Sequence, residues 1–166
     1  MSDAENNGWR AAANSWRFLA LAILLALGST GCITSSIRPP SNSRPITATV
    51  ELTGYCNCGE CCNWHRTWFG LGSPVVTSGP DRGKPKRVGY TSSGTEARTG
   101  TLAADLSLYP YGTIVYIPDY GFGRVEDTGG AIRGNHMDLW FSTHAEAMQW
   151  GKQRRRIKIW LPSRRQ

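Results

Sequence analysis

Residues 123–141 read GRVEDTGGAIRGNHMDLWF. Two short pieces, 123–126 and 137–141, carry strand-forming residues and flank a turn built from Gly129, Gly130 and Gly134. That pattern predicts strand, turn, strand. Two aspartates mark it. Asp127 opens the turn, and Asp138 sits inside the apolar run Met137, Leu139, Trp140, Phe141. A carboxyl among apolar neighbours is expected to lose hydration, which raises its pKa. A nearby second carboxylate raises it further. A carboxylic acid kept protonated near neutral pH can serve as a general acid.

Outward from this stretch, short strands continue. Residues 47–55, 99–106, 113–117 and 155–161 have strand patterning, the last alternating Ile157, Ile159, Leu161 against Arg156, Lys158, Trp160. One helix is expected at 144–151, capped by Ser142 or Thr143, with Glu146 in its first turn. The stretch 70–89, rich in Gly, Pro and Lys, reads as a long loop. About six strands and one helix predict a mainly β fold, a small six-stranded barrel.

The chain has 166 residues, with 19 Gly, 9 Pro and 7 Trp. That length suits one domain and excludes a two-domain nucleotide-dependent enzyme. Charged residues make up 19%, which excludes a disordered polyelectrolyte. The apolar run 18–27, FLALAILLAL, follows Arg10 and Arg17 and precedes Gly28-Ser29-Thr30-Gly31-Cys32. It is shorter than the roughly 20 residues a bilayer span needs, and reads as a secretory signal. Small residues ending in Gly31-Cys32 resemble the lipobox of bacterial lipoproteins. The expected organisation is a signal peptide over 1–31, a lipid anchor on Cys32, a Ser/Pro-rich tether over 32–46 and a domain over 47–162. Removing residues 1–31 leaves 135 residues and the same net charge of +7, because two arginines leave with Asp3 and Glu5. A basic exported domain fits anionic wall polymers or membrane surfaces; no nucleic-acid recognition motif appears.

Four of the five cysteines, Cys56, Cys58, Cys61 and Cys62, fall within seven residues. Outside the cytoplasm two disulfides are expected, with the pairing left open. A Zn²⁺ site with His65 nearby is the competing reading, ranked second because the cluster is too compact for paired C-x2-C knuckles. Either way the role is structural.

Several segments recur in one order: Tyr55-Cys56-Asn57-Cys58, Ser92-Ser93-Gly94-Thr95, Leu102-Ala103-Ala104-Asp105, Tyr111-Gly112-Thr113, the stretch from Glu126 to Gly134, and His136 to Phe141. Together they resemble the three-aspartate (3D) domain of bacterial cell-wall proteins, and the corresponding domain of the membrane-bound lytic transglycosylase A family. The resemblance implies a double-psi β-barrel with the peptidoglycan glycan strand lying in a groove across it. It places the three aspartates at Asp105, Asp127 and Asp138. The implied activity is lytic transglycosylation, cleaving between N-acetylmuramic acid and N-acetylglucosamine and leaving 1,6-anhydro ends, without cofactor or catalytic metal. Asp138 is the expected acid/base, Asp127 its neighbour and Asp105 an orienting member. Thr95, Gly129, Gly130, Arg133, Tyr111 and Trp140 are candidate sugar-binding residues, with Tyr109, Tyr120 and Phe122 as further stacking candidates. The implied place is the bacterial cell envelope, as a monomer. Non-catalytic wall binding, as in expansin-like barrels, is the alternative. An aspartic peptidase, suggested by Asp127-Thr128-Gly129, fits poorly because Glu126 and Gly130 flank the triplet.

Overall fold

The computed structural model describes residues 37–163. The expected signal segment and Cys32 lie outside the described residues. Among the described residues no helix is long and apolar enough to cross a membrane. Among the described residues, eight strands and two short helices follow in chain order: β1 (Ile46–Tyr55), α1 (Gly59–Cys62), β2 (Trp64–Arg66), β3 (Pro74–Val76), β4 (Thr101–Ala104), β5 (Ile114–Ile117), β6 (Gly121–Asp127), β7 (His136–Trp140), α2 (His144–Trp150) and β8 (Gln153–Trp160).

Six of these strands close a barrel in the order β1-β7-β4-β6-β5-β8, sealed by antiparallel pairing of β8 with β1. The pairs β1·β7 and β4·β6 are parallel; the others are antiparallel. The expected six-stranded barrel is therefore present, and closure leaves no open sheet edge. The period-2 alternation sets the interior. Val50 and Leu52 of β1, Met137 and Leu139 of β7, Val115 and Ile117 of β5, and Ile157 and Ile159 of β8 are buried in one core with Leu102, Val125 and Tyr109. In β8 the alternation stops at Trp160, which is buried, while Leu161 beyond the strand is exposed.

Two elements differ from expectation. The predicted loop 70–89 contains β3, which pairs with β2 in a separate two-stranded sheet. A second helix, α1, occupies the cysteine cluster. Three- and four-residue elements are too short to show a period in sequence. The stretch expected as a tether is in contact with the barrel from Ile37 on. The Trp160 indole N–H donates to the Ser43 carbonyl, and Ile37 packs close to Gly100.

Helix α2 lies across β1. Thr143 caps it in a full capping box, its hydroxyl accepting from the Glu146 N–H while the Glu146 carboxylate accepts from the Thr143 N–H. The helix packs over Gly54, where a Cβ would stand 2.9 Å from the Ala147 carbonyl and 3.0 Å from the Phe141 ring. Close approach of helix to strand needs glycine there. Gly54→Val should destabilise the domain by about 1–3 kcal/mol through overpacking, read as a lower urea midpoint at unchanged slope; an unchanged midpoint would contradict this packing.

Candidate functional site

Four barrel strands build the site's floor. Their registers put Thr53 of β1 opposite Asp138 of β7, Asp138 opposite Ala103 of β4, and Ala103 opposite Asp127 of β6. Neighbouring strands are about 4.8 Å apart, so two ladder steps separate the aspartate backbones by about 10 Å. The small Ala103 side chain lies between them. A β-bulge creates this row. Leu102 pairs with Val125 but Ala103 pairs with Asp127, so Glu126 is skipped. Bulges re-aim side chains in this way. Glu126 is instead buried, accepting from Thr101 Oγ1 at 3.0 Å and pairing with Arg98 at 3.2 Å.

Asp127 and Asp138 both line one cavity of about 510 Å³. Tyr55, Asn57, Cys62, Lys86, Arg87, Thr91, Ser92, Gly129, Gly130 and Ile132 line it too. Its size is that of a ligand cleft. The two aspartates stand in contrasting surroundings. Asp127 Oδ1 accepts from the Ser92 N–H at 2.9 Å, the Ser92 hydroxyl at 2.7 Å and the Thr128 N–H at 2.9 Å, and Oδ2 from the Tyr55 hydroxyl at 3.2 Å. Asp138 is half-buried beside Thr53. Burial raises its carboxyl above the ordinary range, and the Asp127 charge adds to this, against the Thr53 hydrogen bond at 2.9 Å and the nearby His136. Thr53 Oγ1 also meets His136 Nε2 at 2.8 Å. Burial and the Asp127 charge push the Tyr55 phenol far up, so it stays a donor.

Asp105 does not line the cavity. It accepts from the Gly134 N–H at 2.8 Å and from the Ser107 N–H and hydroxyl, and these bonds hold its carboxyl below the usual range. Its place is structural: it ties the loop after β4 to the turn between β6 and β7.

The expected sugar-binding residues divide. Gly129 and Gly130 line the cavity. Thr95 does not; its hydroxyl meets Thr91 Oγ1 at 2.9 Å and braces the loop that carries Ser92. Tyr111 donates to Ser92 Oγ at 2.9 Å, one step behind Asp127. Trp140 packs beside Tyr55, Ala103 and Ile132 and donates to Asn57 Oδ1 at 2.8 Å. Arg133 is exposed near Asp105, and the cavity's cations are Lys86 and Arg87. Tyr109 is core; Tyr120 packs on Phe141 and Trp150; Phe122 packs on Tyr116 and Trp160. Sequence reasoning missed Tyr55, Ser92, Thr53 and Asn57. Tyr55 and Ser92 stood inside segments already singled out, but their hydrogen bonds join residues 35 and 72 apart.

The structure joins none of the four clustered cysteines in a disulfide. Three of them face His144 rather than His65. His65 lies on β2, beside Thr77.

Residues 100–162 match the family model of the 3D domain. Two Bacillus subtilis proteins are similar over 75 residues: YabE, named for cell wall shaping, at 33% identity, and the cell wall-binding protein YocH, at 32%. Each alignment covers 43% of this chain, and 18% and 26% of the relatives. The chain thus spans about a fifth to a quarter of the curated relatives it matches. Among solved structures, the E. coli lytic transglycosylase MltA is similar at 22% identity in one apo form, covering 46% of this chain and 29% of that one, with a TM-score of 0.37. Another MltA crystal structure gives 21%, 48%, 30% and the same score.

The raised Asp138 carboxyl has a stability consequence. A folded-state value above the unfolded one means the native state binds the extra proton, so this contribution is present at low pH and is lost as pH rises through the folded value. Asp138→Asn removes the cost of a buried charge. Its melting temperature should exceed the parent's near neutral pH, with the gap closing toward about pH 4. A melting temperature below the parent's near neutral pH would contradict the desolvated setting of Asp138.

Proposed function

We propose that this domain is a peptidoglycan lytic transglycosylase with Asp138 as its single acid/base. The observation that carries the reading is the pair Asp127 and Asp138 in one cavity, with the Asp138 carboxyl raised by burial. The match to the 3D domain and the names of the two Bacillus relatives support a cell-wall substrate. Lys86 and Arg87 at the cavity suit a polymer that carries carboxylates.

The chemistry runs in two proton transfers. Protonated Asp138 gives its proton to the glycosidic oxygen as the bond to muramic C1 breaks, releasing the N-acetylglucosamine 4-hydroxyl. The developing positive charge at C1 is met by the muramic 6-oxygen, which forms the 1,6-anhydro bond and returns its proton to Asp138. No water enters, so a second reacting carboxylate is not required. Asp127, fixed by its four donors, supplies negative charge beside the positive centre and keeps Asp138 protonated. Gly129 and Gly130 let sugar hydroxyls approach the backbone.

The proposal extends to the cell envelope, with export directed by residues 1–31, a lipid anchor at Cys32 and a monomeric domain at the wall. A second reading, wall binding without cleavage, is favoured by the relative named for cell wall binding.

Incubating the protein with peptidoglycan sacculi separates the two. Release of 1,6-anhydro-muropeptides, seen by mass spectrometry, is the expected result; retention on sacculi with no release supports the binding reading. Asp138→Asn should lower release by about 10²–10⁴-fold while sacculus binding persists, and release should fall as pH rises through the Asp138 value. Undiminished release by Asp138→Asn would overturn the assignment.

A further inference from the structure

A second cluster of chemistry-bearing side chains lies where the loop after β1 meets the start of α2. Cys56 Sγ and Cys61 Sγ are 3.8 Å apart. His144 Nδ1 lies 3.4 Å from Cys58 Sγ and 3.5 Å from Cys61 Sγ. All four atoms lie within 4.8 Å of one another. Sulfurs in a disulfide stand about 2.05 Å apart. A tetrahedral Zn²⁺, with bonds of about 2.3 Å to sulfur and 2.05 Å to nitrogen, instead spaces its sulfurs by about 3.8 Å and each sulfur about 3.5 Å from the nitrogen. The Cys56–Cys61, Cys58–His144 and Cys61–His144 separations match three edges of that tetrahedron, and the remaining three lie within 4.8 Å.

The surroundings fit the same reading. The Cys58 N–H donates to Cys56 Sγ and the Cys61 N–H to Cys58 Sγ, each at 3.4 Å, so backbone donors orient both sulfurs. His144 Nε2, the nitrogen turned away from the cluster, lies 3.5 Å from Glu60 Oε2. A carboxylate behind the far ring nitrogen is the usual support of a metal-bound histidine. Cys62 stays out, its Sγ 3.1 Å from the Cys56 carbonyl oxygen and its side chain lining the aspartate cavity.

We propose that Cys56, Cys58, Cys61 and His144 form a structural Zn²⁺ site of the Cys3His type. The three cysteines precede the segment matched by the 3D domain, so the site combines residues inside and outside it. Its four ligands close the coordination sphere and leave no position for substrate. The site pins the loop after β1 to the first residue of α2. That loop carries Asn57, whose side chain accepts from Trp140 and lines the aspartate cavity. Bound metal would therefore hold one wall of the cavity in place.

The test is metal content of the full chain, purified in detergent without chelator and with zinc in the medium. Close to one zinc per chain is expected, and Co²⁺ exchange should give the absorption of a tetrahedral thiolate site. Cys62→Ser and His65→Ala should keep full zinc, whereas Cys61→Ser should lose it. His144 is exposed, so His144→Ala should fold and still bind zinc more weakly, and Glu60→Gln should weaken binding about 10-fold. Mass mapping that finds two disulfides and no metal would overturn the proposal. So would equal loss of zinc in Cys62→Ser and Cys61→Ser.

Discussion

One irregularity in the sheet governs the site. Between β4 and β6 the register skips Glu126, so that Ala103 faces Asp127 on one side and Asp138 on the other. Without the bulge, strand alternation would turn Asp127 to the opposite face and bring Glu126 to the cavity. The bulge is held by what it buries. Glu126 is enclosed with Thr101 and Arg98, which offset the cost of removing its charge from water. The two aspartates thus share a floor because a third acid, no part of the cavity lining, is locked underneath.

The shared floor does not make the two carboxyls equivalent. Asp127 collects donors from Ser92, Thr128 and Tyr55, and Ser92 is braced in turn by Tyr111. Asp138 has Thr53 beside it, and burial raises its carboxyl. A carboxyl raised by burial is the one suited to an acid role. Here the division comes from the backbone: Tyr55 and Thr53 belong to β1, and the 92–95 loop closes over Asp127. The cysteine cluster follows β1 directly, which places the proposed zinc at the hinge of the same wall.

Much of this was legible in the sequence because it is written in local pattern. β-Branched residues in 47–55 and alternation in 155–161 gave strands, Thr143 and Glu146 gave a cap, and an Asp among Met, Leu and Trp gave a desolvated acid. What was not legible depends on distance along the chain. The 64–76 hairpin has strands of three residues, too short for a period. His144 reaches cysteines more than 80 residues earlier, so His65, the nearby histidine, stood in its place. Trp140 and Tyr111 look like sugar platforms in sequence, yet their polar atoms are spent on Asn57 and Ser92. Asp105 carries the motif's spacing but serves a turn, a difference that only the Gly134 and Ser107 contacts reveal.

The most direct test of the central claim is where a glycan sits. Titrating a soluble N-acetylglucosamine–N-acetylmuramic acid oligomer into the isotopically labelled protein, and following backbone amide shifts, reads this residue by residue. The account predicts that the largest shifts fall on Tyr55, Ala103, Asp127, Gly129, Gly130 and Asp138, and that Ala103→Leu, which fills the floor between the aspartates, removes them. Shifts centred on Tyr116, Phe122 and Trp160, or binding unchanged in Ala103→Leu, would contradict it.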